Sequence, residues 1–129
     1  MEEAFRRADI VLMTGGLGPT TDDVSREAVA ELLGLEMIHD ETVMEAIRAR
    51  FARRGLEMSP RNARQAQRPR EAVVLPNNHG TAPGLYLPPQ AFRNRMTPHL
   101  FLLPGPPREL QPMFTEGVLP ILQKVAPPR

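Results

Sequence analysis

Ile10-Val11-Leu12-Met13-Thr14-Gly15-Gly16-Leu17-Gly18-Pro19-Thr20-Thr21-Asp22-Asp23 is the stretch on which the reading of this chain turns. Residues 10–13 form a continuous apolar run, which suits a strand buried on both faces, as in a parallel sheet. The glycines that follow permit a tight turn and positive φ. A helix is expected from about Asp23 to Leu33, with Asp22 or Asp23 as its N-cap and Gly34 ending it. A strand, a glycine-rich turn and a helix start, in that order, present backbone N–H groups and the positive end of a helix dipole. That combination favours an anion such as phosphate. Thr14, Thr20 and Thr21 add hydroxyl donors.

The loop lacks the Lys-Ser/Thr ending of a P-loop, and Gly15, Gly16 and Gly18 lack the spacing of a dinucleotide fingerprint. It reads either as a tight turn alone or as a phosphate site, and its density of Gly, Thr and Asp weighs towards the second. Asp22 and Asp23 are hard oxygen ligands beside that site, suited to Mg²⁺ or Mn²⁺. One of the pair is expected to cap the helix, which leaves the other for a metal or for water activation.

Working outward, residues 2–8 read as the last turns of a helix. A second helix runs from Asp40 to Arg54 and stops at Gly55. Its apolar positions Val43, Met44, Ile47 and Phe51 share one face. Ser59-Pro60 opens a short helix through about Gln67. Strands are expected at 72–75, 85–87 and 100–103, with 88–99 as a floppy connection. A last helix, from about Arg108 to Val125, is interrupted near Gly117 and Pro120. The alternation predicts one domain over 1–129 with a three-layer α/β/α fold and a mostly parallel sheet.

Ligands of such sheets bind beyond the carboxyl ends of strands. A second loop in that position is Pro104-Gly105-Pro106-Pro107-Arg108-Glu109. Its prolines fix a rigid turn around Gly105, Arg108 is a candidate phosphate ligand, and Glu109 either pairs with Arg108 or serves the metal. Asn78, Gly80 and Thr81 either contact a sugar or base, or serve as a stable hairpin connection between the strands at 72–75 and 85–87. His79 and His99 have no His or acid partner at ligand spacing and read as surface residues, as does His39. Met37, Met44 and Met58 read as packing.

Composition narrows the classes. There are no cysteines, so a disulfide framework, thiolate metal site and cysteine nucleophile are excluded. A net charge of +1 gives no electrostatic case for nucleic acid or a membrane surface. No apolar run is long enough to span a bilayer, and the charged start lacks the apolar core of a signal peptide. A cytoplasmic protein is expected. Fifteen prolines, well above the usual share of about 5%, fall mostly in turns and point to rigid loops.

TGGLGPTTDDVSREAVAELLG, RFARRG, NARQAQRP, NNHGTAPGL and LPGPPRELQPMF occur in that order. Together they resemble the N-terminal domain of the CinA competence/damage-inducible proteins, within the molybdopterin-binding-like fold. The resemblance runs from about Ala8 to Leu122. It places Asp23 on the family's functional aspartate, Ser25 on its threonine, and Pro104, Gly105 and Pro106 on its second ligand loop. Leu17 and Asp22 depart from the molybdenum-cofactor relatives and favour CinA-type chemistry. The resemblance implies a metal-dependent pyrophosphatase (Mg, Mn or Co) acting on ADP-ribose-like dinucleotides in pyridine-nucleotide recycling. Asp22 and Asp23 would hold the metal and Arg108 would neutralise developing charge. Full CinA proteins also carry a C-terminal domain that deamidates nicotinamide mononucleotide. Relatives open with a further strand and helix, so the chain reads as N-terminally truncated, with an exposed apolar edge that favours a homo-oligomer. The alternatives are a non-catalytic molybdopterin- or nucleotide-binding module and a silent fragment.

Overall fold

The computed structural model describes residues 8–19, 23–92 and 94–125. Of the helix expected over residues 2–8, all but Ala8 lies outside them. Ile10–Thr14 form β1, followed after the glycine loop by α1, Ser25–Leu33. Met37–His39 make β2, Glu41–Arg53 α2, Pro60–Ala66 a 3₁₀ segment and Gln67–Pro69 β3. Then come β4 (Val73–Leu75), β5 (Gly84–Leu87), β6 (Ala91–Phe92), β7 (Arg95–Met96) and β8 (His99–Leu103). The chain closes with α3 (Pro107–Met113), a π turn at Phe114–Val118 and α4 (Leu119–Val125).

The central sheet has the order β1-β8-β5-β4. Its sense is mixed: β1 and β8 are parallel, while β8–β5 and β5–β4 are antiparallel. The mostly parallel sheet read from the sequence is therefore one parallel pair among the described residues. The reason is that β4 and β5 are joined by a loop rather than a helical crossover, which forces them antiparallel. The layers are as expected. Strand alternation sends Leu100 and Leu102 to one face, where they meet Val29 and Leu33 of α1. Phe101 and Leu103 go to the other, against Met113 and Val118. Phe101 and Leu102 are fully buried, and burying side chains of this size contributes roughly 1.5–3 kcal/mol each.

α2 buries Val43, Met44 and Ile47, with Phe51 packed beside them. Its N-cap is Asp40, whose carboxylate accepts from the Val43 amide at 3.1 Å. The 3₁₀ segment starts with the expected Ser59-Pro60 signal, reinforced by a capping box to Asn62. Two features were not expected. The segment 88–99 is ordered by the β6–β7 hairpin and by paired bonds between Gln90 and Thr97. The three-residue β2 pairs antiparallel with β3, too short a strand to give a periodic signal. The last helix is interrupted at Gly117 as expected: the α-helix gives way to the π turn at Phe114–Val118 and resumes at Leu119.

Candidate functional site

β4 runs parallel to β8, because both are antiparallel to β5. The carboxyl ends of β1, β4 and β8 therefore lie at one end of the sheet, and the three loops singled out in the sequence gather there. Gly15 donates its N–H to the Leu103 carbonyl at 2.9 Å, which ties the first loop to the end of β8. A Cβ on Gly105 would lie 3.6 Å from the Gly15 Cα, so the two glycine turns touch through backbone. Glu109 in turn accepts from Asn77 Nδ2 at 2.9 Å, joining the third loop to the first turn of α3.

The first loop has a definite polarity. Gly15 and Gly16 are consecutive residues with φ of +86° and +74°, a conformation that side-chain-bearing residues rarely adopt. Every carbonyl from Gly15 to Gly18 is then engaged by the first turn of α1. Ser25 Oγ donates to Gly15 O at 3.1 Å and the Ser25 N–H to Gly16 O at 3.2 Å. Arg26 Nη1 donates to Leu17 O at 2.8 Å and Nη2 to Gly18 O at 3.2 Å. With the carbonyls tied to α1, the N–H groups of Gly16, Leu17 and Gly18 make no backbone hydrogen bond among the described residues. Leu17 is itself buried, so Gly16 and Gly18 are the amides of the turn that an anion could reach.

Arg26 is only 1% exposed, and burial lowers its pKa, opposed by the charge of Glu27. Among the described residues its Nε has no hydrogen-bond partner, nor does Oε2 of Glu27. Arg64 bridges from the 3₁₀ segment, donating to the Asp23 carbonyl at 3.3 Å and to Glu27 Oε1 at 3.2 Å. Farther along the same segment, Asn62 donates to Gln65 Oε1 and Gln65 Nε2 donates to Thr81 Oγ1, both at 3.0 Å. The 3₁₀ segment thus makes two separate sets of polar contacts, one with Asp23 and Glu27 and one with Thr81 of the third loop.

Most of the sequence-read residues converge here. Thr14, Gly15, Gly16 and Gly18 form the first loop, Pro104, Gly105 and Pro106 the second, and Gly80 and Thr81 the third. Asn78 is exposed beside them, its carbonyl taken by Arg50 at 3.3 Å. Asp23 lies against Gly18, where a Cβ would stand 2.7 Å from its carboxylate. Thr20, Thr21 and Asp22 fall outside the described residues. Two assignments change. The N-cap of α1 is Val24, which makes no side-chain cap, and not Asp23. Glu109 pairs with Asn77 rather than with Arg108. Arg108 stands exposed on the first turn of α3. His99 is not a plain surface residue either; it stacks on Tyr86 and its Nδ1 shares a 2.8 Å hydrogen bond with that phenol, whose pKa burial raises.

The sequence reading missed Arg26, Glu27, Arg64, Gln65 and Asn77. Arg26 had a legible signal, since it shares the i, i+3, i+7 face of α1 with Val29 and Leu33. An Arg on a core face needs buried acceptors, and the preceding glycine turn supplies them. Among the described residues no three His, Cys, Asp or Glu side chains cluster as a metal cage. Mg²⁺-type ions need no such cage, taking one or two carboxylates plus phosphate and water. Asp23 beside the glycine turn supplies one such carboxylate.

The family described as probable molybdopterin binding domain matches residues 1–124. A CinA-like protein of Akkermansia muciniphila is 48% identical over 126 residues, covering 98% of this chain and 30% of that protein. A competence-damage inducible protein of Desulforamulus reducens is 46% identical over 123 residues, covering 95% of this chain and 28% of its own length. The chain thus spans less than a third of these relatives. The crystal structure of CinA from Thermoplasma acidophilum superposes with a TM-score of 0.73 at 28% identity, over 95% of this chain and 65% of that one. On sequence and fold together, the chain belongs to the molybdopterin-binding-domain family as a CinA-like member.

Proposed function

We propose that this domain binds the phosphates of a nucleotide-type ligand on the Gly15–Gly18 turn and, with a divalent cation, hydrolyses the pyrophosphate of ADP-ribose-like dinucleotides. The observation that carries the reading is the polarity of that turn: four successive carbonyls are tied to the start of α1, while the amides of Gly16 and Gly18 make no backbone hydrogen bond among the described residues. Buried Arg26 beneath it adds fixed positive charge. Asp23, with Asp22, would hold Mg²⁺, Mn²⁺ or Co²⁺, which supplies charge neutralisation and a polarised water when bound. Exposed Arg108 is free to swing onto a phosphate, and Pro104, Gly105 and Pro106 hold a rigid wall against Gly15. Self-association belongs to the same proposal: β1 stands at the edge of the described sheet with Leu12 44% exposed, an edge open to pairing.

The test is ADP-ribose hydrolysis by the purified chain with each metal, read as AMP formed. Metal-dependent AMP that disappears in Asp23→Ala, with the melting temperature unchanged, is the expected result. Undiminished turnover in that variant would refute the assignment of Asp23. The family description favours a second reading, a molybdopterin or nucleotide module without turnover. A ligand-induced rise in melting temperature with no product at any metal concentration would select it.

A further inference from the structure

A cavity of about 440 Å³ lies between α2 and the loop at 76–83, and no residue of the glycine turn lines it. Its volume falls in the range of small-molecule sites. Val43 and Ile47 of α2, both buried, and Val74 of β4 give it an apolar lining. Arg50 and Arg53, from the last turn of α2, line it as well. Arg50 spans from the helix to the opposite wall, its Nη1 donating to the Asn78 carbonyl at 3.3 Å.

The charge on these two arginines is uncompensated. Nearby Arg48, Arg64, Arg68 and Arg70 each have a carboxylate partner. Arg50 and Arg53 have none among the described residues, and no Asp or Glu lines the cavity. Of its polar side chains, Asn77 and Thr81 are engaged within the fold, and Thr42 and Asn78 are exposed. The enclosed part therefore offers little to sugar hydroxyls, which cost free energy when buried unpaired. Apolar surface and positive charge are what it presents. We propose that this cavity is a separate binding site for an organic carboxylate with an apolar body. The body covers Val43, Ile47 and Val74, and the carboxylate supplies the missing partner of Arg50 and Arg53 by charge-assisted hydrogen bonds.

The experiment is calorimetric titration of the chain with 2-naphthoate, an aromatic carboxylate, and with its uncharged analogue 2-naphthamide. Wild type is compared with Ala46→Leu and Arg50→Gln, and melting curves verify that both variants are folded. Ala46 lines the cavity from an exposed helix position, where leucine suits the helix and fills the space. Wild type is expected to bind 2-naphthoate saturably at a single site. Ala46→Leu should weaken both compounds about tenfold by obstruction. Arg50→Gln should weaken 2-naphthoate about tenfold through the lost charge-assisted bond and leave 2-naphthamide unchanged. A wild type that does not bind 2-naphthoate would overturn the site. Binding that neither variant alters would overturn its location, and 2-naphthamide bound as tightly as 2-naphthoate would overturn the choice of a carboxylate.

Discussion

Arg26 holds Leu17 by a 2.8 Å hydrogen bond from Nη1 to the carbonyl, nine residues back along the chain. With its second arm on Gly18, a fully buried cation fixes the backbone of the glycine turn from beneath. Burying a guanidinium is costly unless its donors are satisfied, and here backbone carbonyls satisfy two of its nitrogens. Arg26→Ala leaves two carbonyls unpaired and a cavity behind them. It is expected to destabilise the fold by about 3 kcal/mol, read as a lowered urea midpoint. Arg26→Lys keeps the charge but not the fork, so it should recover only part of that loss. Full recovery in the Lys variant would show that charge alone, and not the two-carbonyl clamp, sets the turn.

Gly15 and Gly16 separate two effects that are usually confounded. Both have positive φ, but a Cβ on Gly15 meets nothing within 4 Å. A Cβ on Gly16 would overlap the Ser25 hydroxyl and stand 3.1 Å from the Ser25 Cβ. Gly15→Ala should therefore cost backbone strain alone, about 1 kcal/mol. Gly16→Ala adds loss of the Ser25–Gly15 bond, for about 2 kcal/mol in all. Thermal unfolding of the two variants checks the order. A Gly15→Ala loss equal to that of Gly16→Ala would mean that Ser25 yields freely.

Asp40 links acid sensitivity to α2. Its Oδ1 accepts from the Val43 amide and its Oδ2 from Arg68 Nε at 2.9 Å. Arg68 first, then the amide bond, holds its pKa below the ordinary carboxylate value. A lowered folded pKa gives stability that is complete above the unfolded value near 4 and lost as pH falls through the folded one. Asp40→Asn keeps a capping oxygen without the charge. Wild type should exceed it in urea midpoint at pH 7, and the gap should close in acid. Asp40→Ala loses the cap as well, costing about 1 kcal/mol more. A wild-type advantage over Asn that persists unchanged at low pH would contradict the assignment.

How far the sequence carried these features depends on what kind of signal each one has. β1, α1 and the glycine turn were legible because apolar run, turn and helix stop adjoin one another within 25 residues (10–34). Val43, Met44, Ile47 and Phe51 announced the core face of α2 by period. The clustering of Gly15, Gly105 and Gly80 at one end of the sheet followed from strand ends and loop composition. The sense of β5 did not, because Leu85-Tyr86-Leu87 reads the same in a parallel or an antiparallel pair, and only the partner decides. The Arg64–Glu27 and Gln65–Thr81 contacts were illegible for another reason. Each joins segments 37 or 16 residues apart, and polar side chains on a short helix look like a solvated face until tertiary packing covers them. Thr97 was hidden similarly, buried by a hairpin whose strands are two residues long.

Gly80 and Glu109 offer a direct test of whether the third loop and α3 form one site. A Cβ on Gly80 would overlap the Glu109 carboxylate, and its φ carries no positive-angle strain. Glu109 is the flexible end of its side chain, so the alanine would displace it instead of breaking the loop. What is lost is the 2.9 Å bond from Asn77 Nδ2 to Glu109, in a half-buried position. Gly80→Ala is therefore expected to cost about 1 kcal/mol. In a Glu109→Ala background the overlap and the bond are both already gone, and Gly80→Ala should cost almost nothing. The double-mutant cycle over the four proteins, measured by urea unfolding, reads that coupling directly. Additive losses would show that the loop at 76–83 and the first turn of α3 are not in contact in solution.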